Sequence, residues 1–370
     1  MAKLYFTKRI RDNLKDDYFD TRSNLTELYL GENKLSIVKR SWFKCLKRLN
    51  SLCLSKNEIN EIDEDTAFES LKSLKSLYLT ENRLSIVKEL WFKNLKRLEL
   101  LGLDNNKMLE IENNTFNSLS RLKKLYLNNN KLTLVKESWF KSLKRLEILE
   151  LDDNEIFEIE NNTFDSLVNL KKLYLNNNKL TSVNESWFKN LKKLEKLGLF
   201  KNEIFEIENN AFDSLVNLKH LYLNNNKLTS VKESWFKNLK ELTCLGLENN
   251  EIKNIDVNAF DSLFYLKELY LSKNKVLIIK ESWFKNLKEL TRLGISKNEI
   301  NKIEDGAFVN LTNLKELYLH ENKLIENKEI WYSSMKKLIR IDIYGNQIEN
   351  INEQFFKDLD LEFLERLNII

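Results

Sequence analysis

Leucines and one asparagine recur along this chain on a fixed beat. From Leu170 to Leu180 the apolar positions are Leu170, Leu173, Leu175 and Leu180, with Asn178 before the last, a string that reads LxxLxLxxNxL. The alternation at Leu173 and Leu175 has the two-residue period of a strand that turns one face inward. The asparagine returns at Asn33, Asn57, Asn82, Asn106, Asn130, Asn154, Asn178, Asn202, Asn226, Asn250, Asn274, Asn298, Asn322 and Asn346, every 24 residues except for one interval of 25. A rhythm of that length, sustained almost end to end, predicts a stack of short units that bury their apolar sides only against one another. Successive strands then form a parallel sheet. Each asparagine falls where the chain leaves its strand toward the core, and its side-chain amide can serve the backbone groups that a buried turn strands. An internal amide ladder is therefore expected.

Further along, each unit carries an aliphatic residue, an aromatic and a leucine, as in Val183, Phe188 and Leu191. Phe188 and its counterparts Phe116, Phe164, Phe212, Phe260 and Phe308 are expected to pack on one another behind the sheet as an aromatic spine. The whole pattern resembles the leucine-rich repeat family, in the typical 24-residue class of animal extracellular and receptor proteins, and the resemblance covers Leu25 to Asp360. It implies an α/β-type solenoid: a curved horseshoe with a parallel concave β-sheet and an irregular or short-helical convex side. The expected organisation is a degenerate N-terminal repeat over 1–24, fourteen repeats over 25–360, and an incomplete repeat over 361–370. Leu14 and Phe19 support the first of these, standing as far before Leu25 as Ile159 and Phe164 stand before Leu170. For function the resemblance implies a receptor-like module that binds a protein or peptide partner on its concave face, in an extracellular or cell-surface receptor, adhesion or immune-type protein that signals.

A second period lies inside the first. The seven tryptophans, Trp42, Trp91, Trp139, Trp187, Trp235, Trp283 and Trp331, fall in every second repeat, so the sequence period is 48. Ala67, Thr115, Thr163, Ala211, Ala259 and Ala307 take the tryptophan slot in the other repeats. Large side chains over small ones is volume complementarity. On the strand, the outward slot between the two leucines holds Tyr29, Tyr78, Tyr126, Tyr174, Tyr222, Tyr270 and Tyr318 in odd repeats, and Cys53, Gly102, Glu150, Gly198, Gly246, Gly294 and Asp342 in even ones. Two readings of this column stay open. Each tyrosine could shield the backbone of a neighbouring glycine, or the ring faces and hydroxyls could form a ribbon against which a protein docks. Charge alternates as well: Leu170 to Lys193 is rich in lysine and Leu194 to Asn217 in carboxylates, as cross-repeat ion pairing requires.

Composition narrows the partner. The 370 residues carry 60 basic against 56 acidic side chains, a net charge of +4, without the strong field that nucleic acid or an acidic membrane surface would select. No run of about eighteen apolar residues predicts direct membrane insertion, and the start lacks a secretory leader's apolar core. Proline is absent, unlike many family members. Cys45 lies on the back of the first repeat, Cys53 on the strand of the next and Cys244 eight repeats further along, which puts Cys53 and Cys244 too far apart to bridge. Unpaired thiols and missing cysteine-rich caps point to a fragment of a longer protein, with a cytoplasmic structural or adaptor scaffold as the alternative. Two copies could also pair through the exposed ends or the concave face.

Catalysis needs unlike groups converging on one point, and a repeating stack offers rows. His220 sits on a strand and His320 after one four repeats later, too far apart to share a metal or proton. No CxxC, HExxH or GxSxG string occurs. Neither an enzyme, a cofactor nor a metal site is expected. Glycosylation sequons at Asn24, Asn113, Asn161, Asn184 and Asn310 lie off the predicted strands. The least uniform outward strand column includes Lys172, Lys196, His220 and Arg292. With Tyr78, Tyr126, Tyr174, Tyr222, Tyr270 and Tyr318 it makes up the expected contact surface.

Overall fold

A computed structural model describes residues 2–6, 14–63 and 66–349; the incomplete repeat expected at 361–370 lies outside the described residues. The chain forms a parallel-strand solenoid of short strands and few helical turns. It divides into two compact segments, Met1–Lys179 with Ser186–Lys193, and Leu180–Glu185 with Leu194–Ile370. In the first, the strands Leu25–Tyr29, Ser51–Cys53, Ser76–Tyr78, Leu100–Gly102, Lys124–Tyr126, Ile148–Glu150 and Lys172–Tyr174 pair in parallel, in chain order. In the second, Lys196–Gly198, His220–Tyr222, Cys244–Gly246, Glu268–Tyr270, Arg292–Gly294, Glu316–Tyr318 and Arg340–Asp342 do the same. Register sets leucine against leucine, as in Leu125↔Leu149 and Leu221↔Leu245. Ala2–Tyr5 adds a further parallel strand against Leu25–Tyr29, and Leu14 and Phe19 behind it are buried.

The asparagine ladder forms as expected. Asn154, 8 % exposed, donates from Nδ2 to the carbonyls of Leu127 and Leu151, each at 3.1 Å, and accepts the Leu132 N–H on Oδ1 at 3.1 Å. Its neighbours Asn130 and Asn106 repeat the pattern. Just before each ladder asparagine the backbone turns through the left-handed region, with φ between 51° and 57° at Glu32, Lys56, Glu81, Asn105, Asn129, Asp153, Asn177, Lys201, Asn225, Asn249, Lys273, Lys297 and Glu321. Gly345 is the glycine that takes this position. A Cβ is unfavourable there, least so for asparagine. Lys273→Gly is therefore expected to stabilise the chain by ~0.5–1 kcal/mol, and Asn225→Gly to change little. Urea midpoints of the two variants check this; a destabilised Lys273→Gly would contradict it.

The 48-residue period corresponds to two different junctions. From an odd repeat to the next even one, Phe92 stacks with Phe116 at 6.0 Å and Phe284 with Phe308 at 6.0 Å, while Phe140 packs tilted on Phe164 at 5.9 Å. The spine is thus built from ring pairs within each block. At the same junction short strands such as Leu134–Val135 and Glu158–Ile159 pair, and Glu160 Oε2 accepts the Glu137 N–H that opens a 3₁₀ turn, at 2.8 Å. From an even repeat to the next odd one the links are ion pairs: Lys123–Glu99 at 2.8 Å, Lys171–Glu147 at 3.0 Å, Lys179–Glu155 at 2.9 Å and Lys227–Glu203 at 2.9 Å. Trp139 Nε1 also donates to the Ile111 carbonyl at 3.2 Å, and Trp235 Nε1 to that of Ile207 at 3.3 Å. The tryptophans and the alanine or threonine of the alternate slot are all buried. Exposed pairs of this kind contribute ~1 kcal/mol at most, so their value lies in fixing which repeats adjoin.

Candidate partner-binding face

The inward strand positions are leucines, so the alternate positions point to solvent, and the sequence decides what that face displays. In the first segment Tyr5 stacks flat on Tyr29, with centroids 4.4 Å apart, and Tyr29 Oη donates to Glu27 Oε2 at 2.8 Å. Tyr78 lies opposite Gly102, its Cδ1 3.5 Å from where a Cβ on that glycine would stand. Glu150 replaces the glycine between Tyr126 and Tyr174. Burial first, and then the field of Asp104, raises its carboxyl, while the exposed ammonium of Lys172 opposes them. Burial and then Glu150 raise the hydroxyls of Tyr126 and Tyr174 too.

Two residues further along each strand lies a second outward column containing Asp104, Asn128, Asp152 and Asn176. Thr80 Oγ1 donates to Asp104 Oδ1 at 2.8 Å. Burial, followed by Glu150 and Asp153, pushes the Asp152 carboxyl up to about 7. A carboxyl raised above its unfolded value of about 3.9 adds stability that is complete below pH ~4 and is lost as pH rises through ~7. Asp152→Asn is therefore expected to raise stability at pH 8 by about 1 kcal/mol, a figure reduced for the group's partial exposure, and to leave pH 4 unchanged. Thermal melts at the two pH values read this out; a gain at pH 4 instead of pH 8 would contradict it.

The second segment presents a different face. Lys196 Nζ sits 5.3 Å above the Tyr222 ring, His220 lies parallel to that ring at 6.4 Å, and Tyr222 Cδ1 comes 3.4 Å from the Cβ position of Gly246. Burial lowers the His220 imidazole, with Lys196 adding to the effect. Burial and then Cys244 push the Tyr222 hydroxyl up to about 12. Beyond it runs a connected network. Tyr270 Oη donates to Glu268 Oε2 at 2.9 Å and accepts from Arg292 Nη1 at 3.2 Å. Arg292 forks onto Glu316 with two 2.8 Å bonds, and Tyr318 Oη donates to the same carboxylate at 2.6 Å. Tyr270 Cδ1 stands 3.4 Å from the Cβ position of Gly294, and Arg340 lies 5.1 Å from the Tyr318 ring centre.

Lys196, His220 and Tyr222 thus come together, as do Tyr270, Arg292 and Tyr318; Tyr126, Tyr174 and Lys172 surround Glu150. Of the carboxylates that organise these groups, Glu150 stands in the outward slot of the tyrosines and Glu268 and Glu316 in the variable column with Arg292, whereas Asp104 and Asp152, two residues beyond the tyrosine slot, escaped the sequence reading. The geometry is that of a fixed display. Among the described residues no group of three His, Cys, Asp or Glu side chains could hold a metal ion, and no helix is long and apolar enough to cross a membrane. Cys45, Cys53 and Cys244 are free thiols. The sequon asparagines lie off the main strands; Asn113 and Asn161 accept hydrogen bonds from Ser138 and Ser186, while the sequon threonines Thr115 and Thr163 are buried.

Comparison with known proteins agrees with this architecture. The family model described as leucine rich repeat matches residues 9–59, 48–108, 96–156, 120–180, 168–228, 216–276 and 264–324. No curated protein sequence matches. Among solved structures, the leucine-rich repeat domain of APL1 is 20% identical with a TM-score of 0.78 over 93% of this chain and 87% of that one. A chain of the Drosophila Toll–Spatzle complex is 19% identical with a TM-score of 0.74 over 94% of this chain, which spans about half (52%) of that one. A chain of the TLR13–ssRNA13 complex is 22% identical with a TM-score of 0.50, over 91% of this chain and 68% of that one. At these identities the likeness establishes the fold.

Proposed function

This chain belongs to the leucine-rich repeat family, and on that premise we propose that it is a non-enzymatic recognition module whose outward sheet face binds a protein or peptide. The row of tyrosines on each segment carries this reading. Tyr78, Tyr222 and Tyr270 rest on glycines, and Tyr270 and Tyr318 are held by carboxylates. Docking against rings already fixed costs little side-chain entropy. Lys172, Lys196, His220 and Arg292 supply the variable polar contacts beside them. Asp104, Glu150 and Asp152 on the same face would repel phosphate, which favours a protein ligand over nucleic acid, although the similar folds include one solved with a protein and one with RNA. In this reading the chain is fourteen repeats over 25–360 following a degenerate repeat at 1–24, in an extracellular or cell-surface receptor, adhesion or immune-type protein. Its three free thiols favour the second reading, an intracellular adaptor scaffold.

Panning a displayed protein and peptide library on the chain, with a Tyr174→Ser/Tyr222→Ser/Tyr270→Ser variant as the counter-selection, tests the site. Binders that discriminate between the two are expected; binders that treat them alike would refute the sheet face as the contact surface.

A further inference from the structure

One edge of the solenoid carries a charge that neither its ion pairs nor the proposed partner face uses. The two positions flanking each repeat's first leucine lie where the chain enters the strand. In the first segment they hold Arg48, Lys75, Arg97, Arg121, Lys123, Arg145, Lys171 and Lys193 against Glu99 and Glu147. The same positions in the second segment hold Lys219, Lys267, Lys315 and Lys337 against Glu195, Glu241 and Glu289. The excess is local, although the repeats are otherwise nearly copies.

Both carboxylates of the basic edge are already taken, Glu99 by Lys123 and Glu147 by Lys171. The Lys123 bond, with Lys75 and Arg121 adding their fields, holds the Glu99 carboxyl below its ordinary range. Arg97, Arg121 and Arg145 are exposed, and among the described residues none of them forms an ion pair. Between the repeats opens a shallow groove of about 220 Å³ lined by Lys123, Arg145, Glu147, Asn169, Lys171 and Lys193. Lys193 is steadied there by a 2.7 Å bond to Asn169 Oδ1.

We infer that this edge binds a densely sulfated linear glycan. Successive strands stand about 4.8 Å apart, so the edge offers a row of fixed cations at the spacing of closely set anionic groups on one extended chain. Guanidinium forks suit sulfate oxygens, as they suit any tetrahedral oxyanion. None of the six lining residues is aromatic, so the groove lacks the stacking platform through which proteins hold single-stranded nucleic acid. That separates a sulfated glycan from RNA of equal charge.

The test is titration of the intact chain with a heparin dodecasaccharide at 0.15 M salt, for the wild type, for Arg97→Ser/Arg121→Ser/Arg145→Ser, and for Lys267→Ser/Lys315→Ser/Lys337→Ser in the second segment. Both triples remove three charges, so a difference between them reports position. The first is expected to bind roughly tenfold more weakly or worse, with a shallower salt dependence, and the second to stay within about twofold of the wild type. Superposable unfolding curves show that both are folded. Equal losses in the two triples, no binding by the wild type, or tighter binding of a polyuridylate of matched charge would each overturn the inference.

Discussion

Asn154→Ala is expected to cost ~2–4 kcal/mol, and Asn154→Asp at least ~1 kcal/mol more at pH 7. Each ladder carbonyl is shared between two amides: Leu127 O receives Nδ2 of Asn130 as well as of Asn154, and Leu151 O that of Asn178 as well as of Asn154. Removing one amide therefore leaves both carbonyls with a donor. The group fully stranded is the Leu132 N–H, whose acceptor is Asn154 Oδ1 at 3.1 Å. One buried unpaired donor and a side-chain-sized void account for the estimate. Aspartate keeps the volume but turns an oxygen toward the carbonyls, so it must either repel them or stay protonated. Its raised pKa adds stability below pH ~4 that is lost as pH rises, and the gap between the two variants should close in acid. Urea unfolding of both at pH 7 and pH 4 decides the matter; an Asp variant no less stable than the Ala variant at pH 7 would contradict the ladder's polarity.

Replacing Tyr174, Tyr222 and Tyr270 together with serine is expected to weaken partner binding by at least ~2 kcal/mol, about thirtyfold. The same substitution should lower stability, because Tyr222 and Tyr270 cover Gly246 and Gly294. Combined variants separate the roles. A Cβ at Gly294 would sit 3.4 Å from Tyr270 Cδ1, an ordinary contact, and 3.2 Å from Ser272 Oγ, so Gly294→Ala is tight against the serine beside the tyrosine. In a Tyr270→Ser/Ser272→Ala background alanine has room and should restore some stability without restoring binding. Recovery of both would reduce the tyrosine to a cover for the glycine.

The leucine spacing and the asparagine column made the solenoid, its register and its ladder legible in the sequence, because each repeat meets the same neighbours and the period is their signature. Leu125↔Leu149 and Asn154 with Leu132 follow from alignment alone. The 48-residue alternation was legible too, but its consequence was not. Odd-to-even contacts use Phe140 and Phe164, and even-to-odd contacts use Lys171 and Glu147, because these residues recur two repeats apart and must choose a side. The left-handed turns at Lys201 and Lys273 escaped because lysine gives no sign of positive φ, unlike the glycine at Gly345. The tyrosine column and the variable column beside it were legible as one surface, but not the bonds between them. The chemistry of that surface depends on the adjacent columns, where Asp152 and Glu150 crowd one another and Arg292 bridges Tyr270 to Glu316.

The sheet face as contact surface is tested most directly by hydroxyl-radical footprinting of the chain with and without a panned partner. Tyr126, Tyr174, Tyr222 and Tyr270 are half-exposed on that face, while Phe157 and Phe205, 57% and 59% exposed, lie off the main strands and serve as internal references. The account predicts that the partner protects the four tyrosines from oxidation and leaves both phenylalanines at their free rates. Protected phenylalanines beside unchanged tyrosines would contradict it.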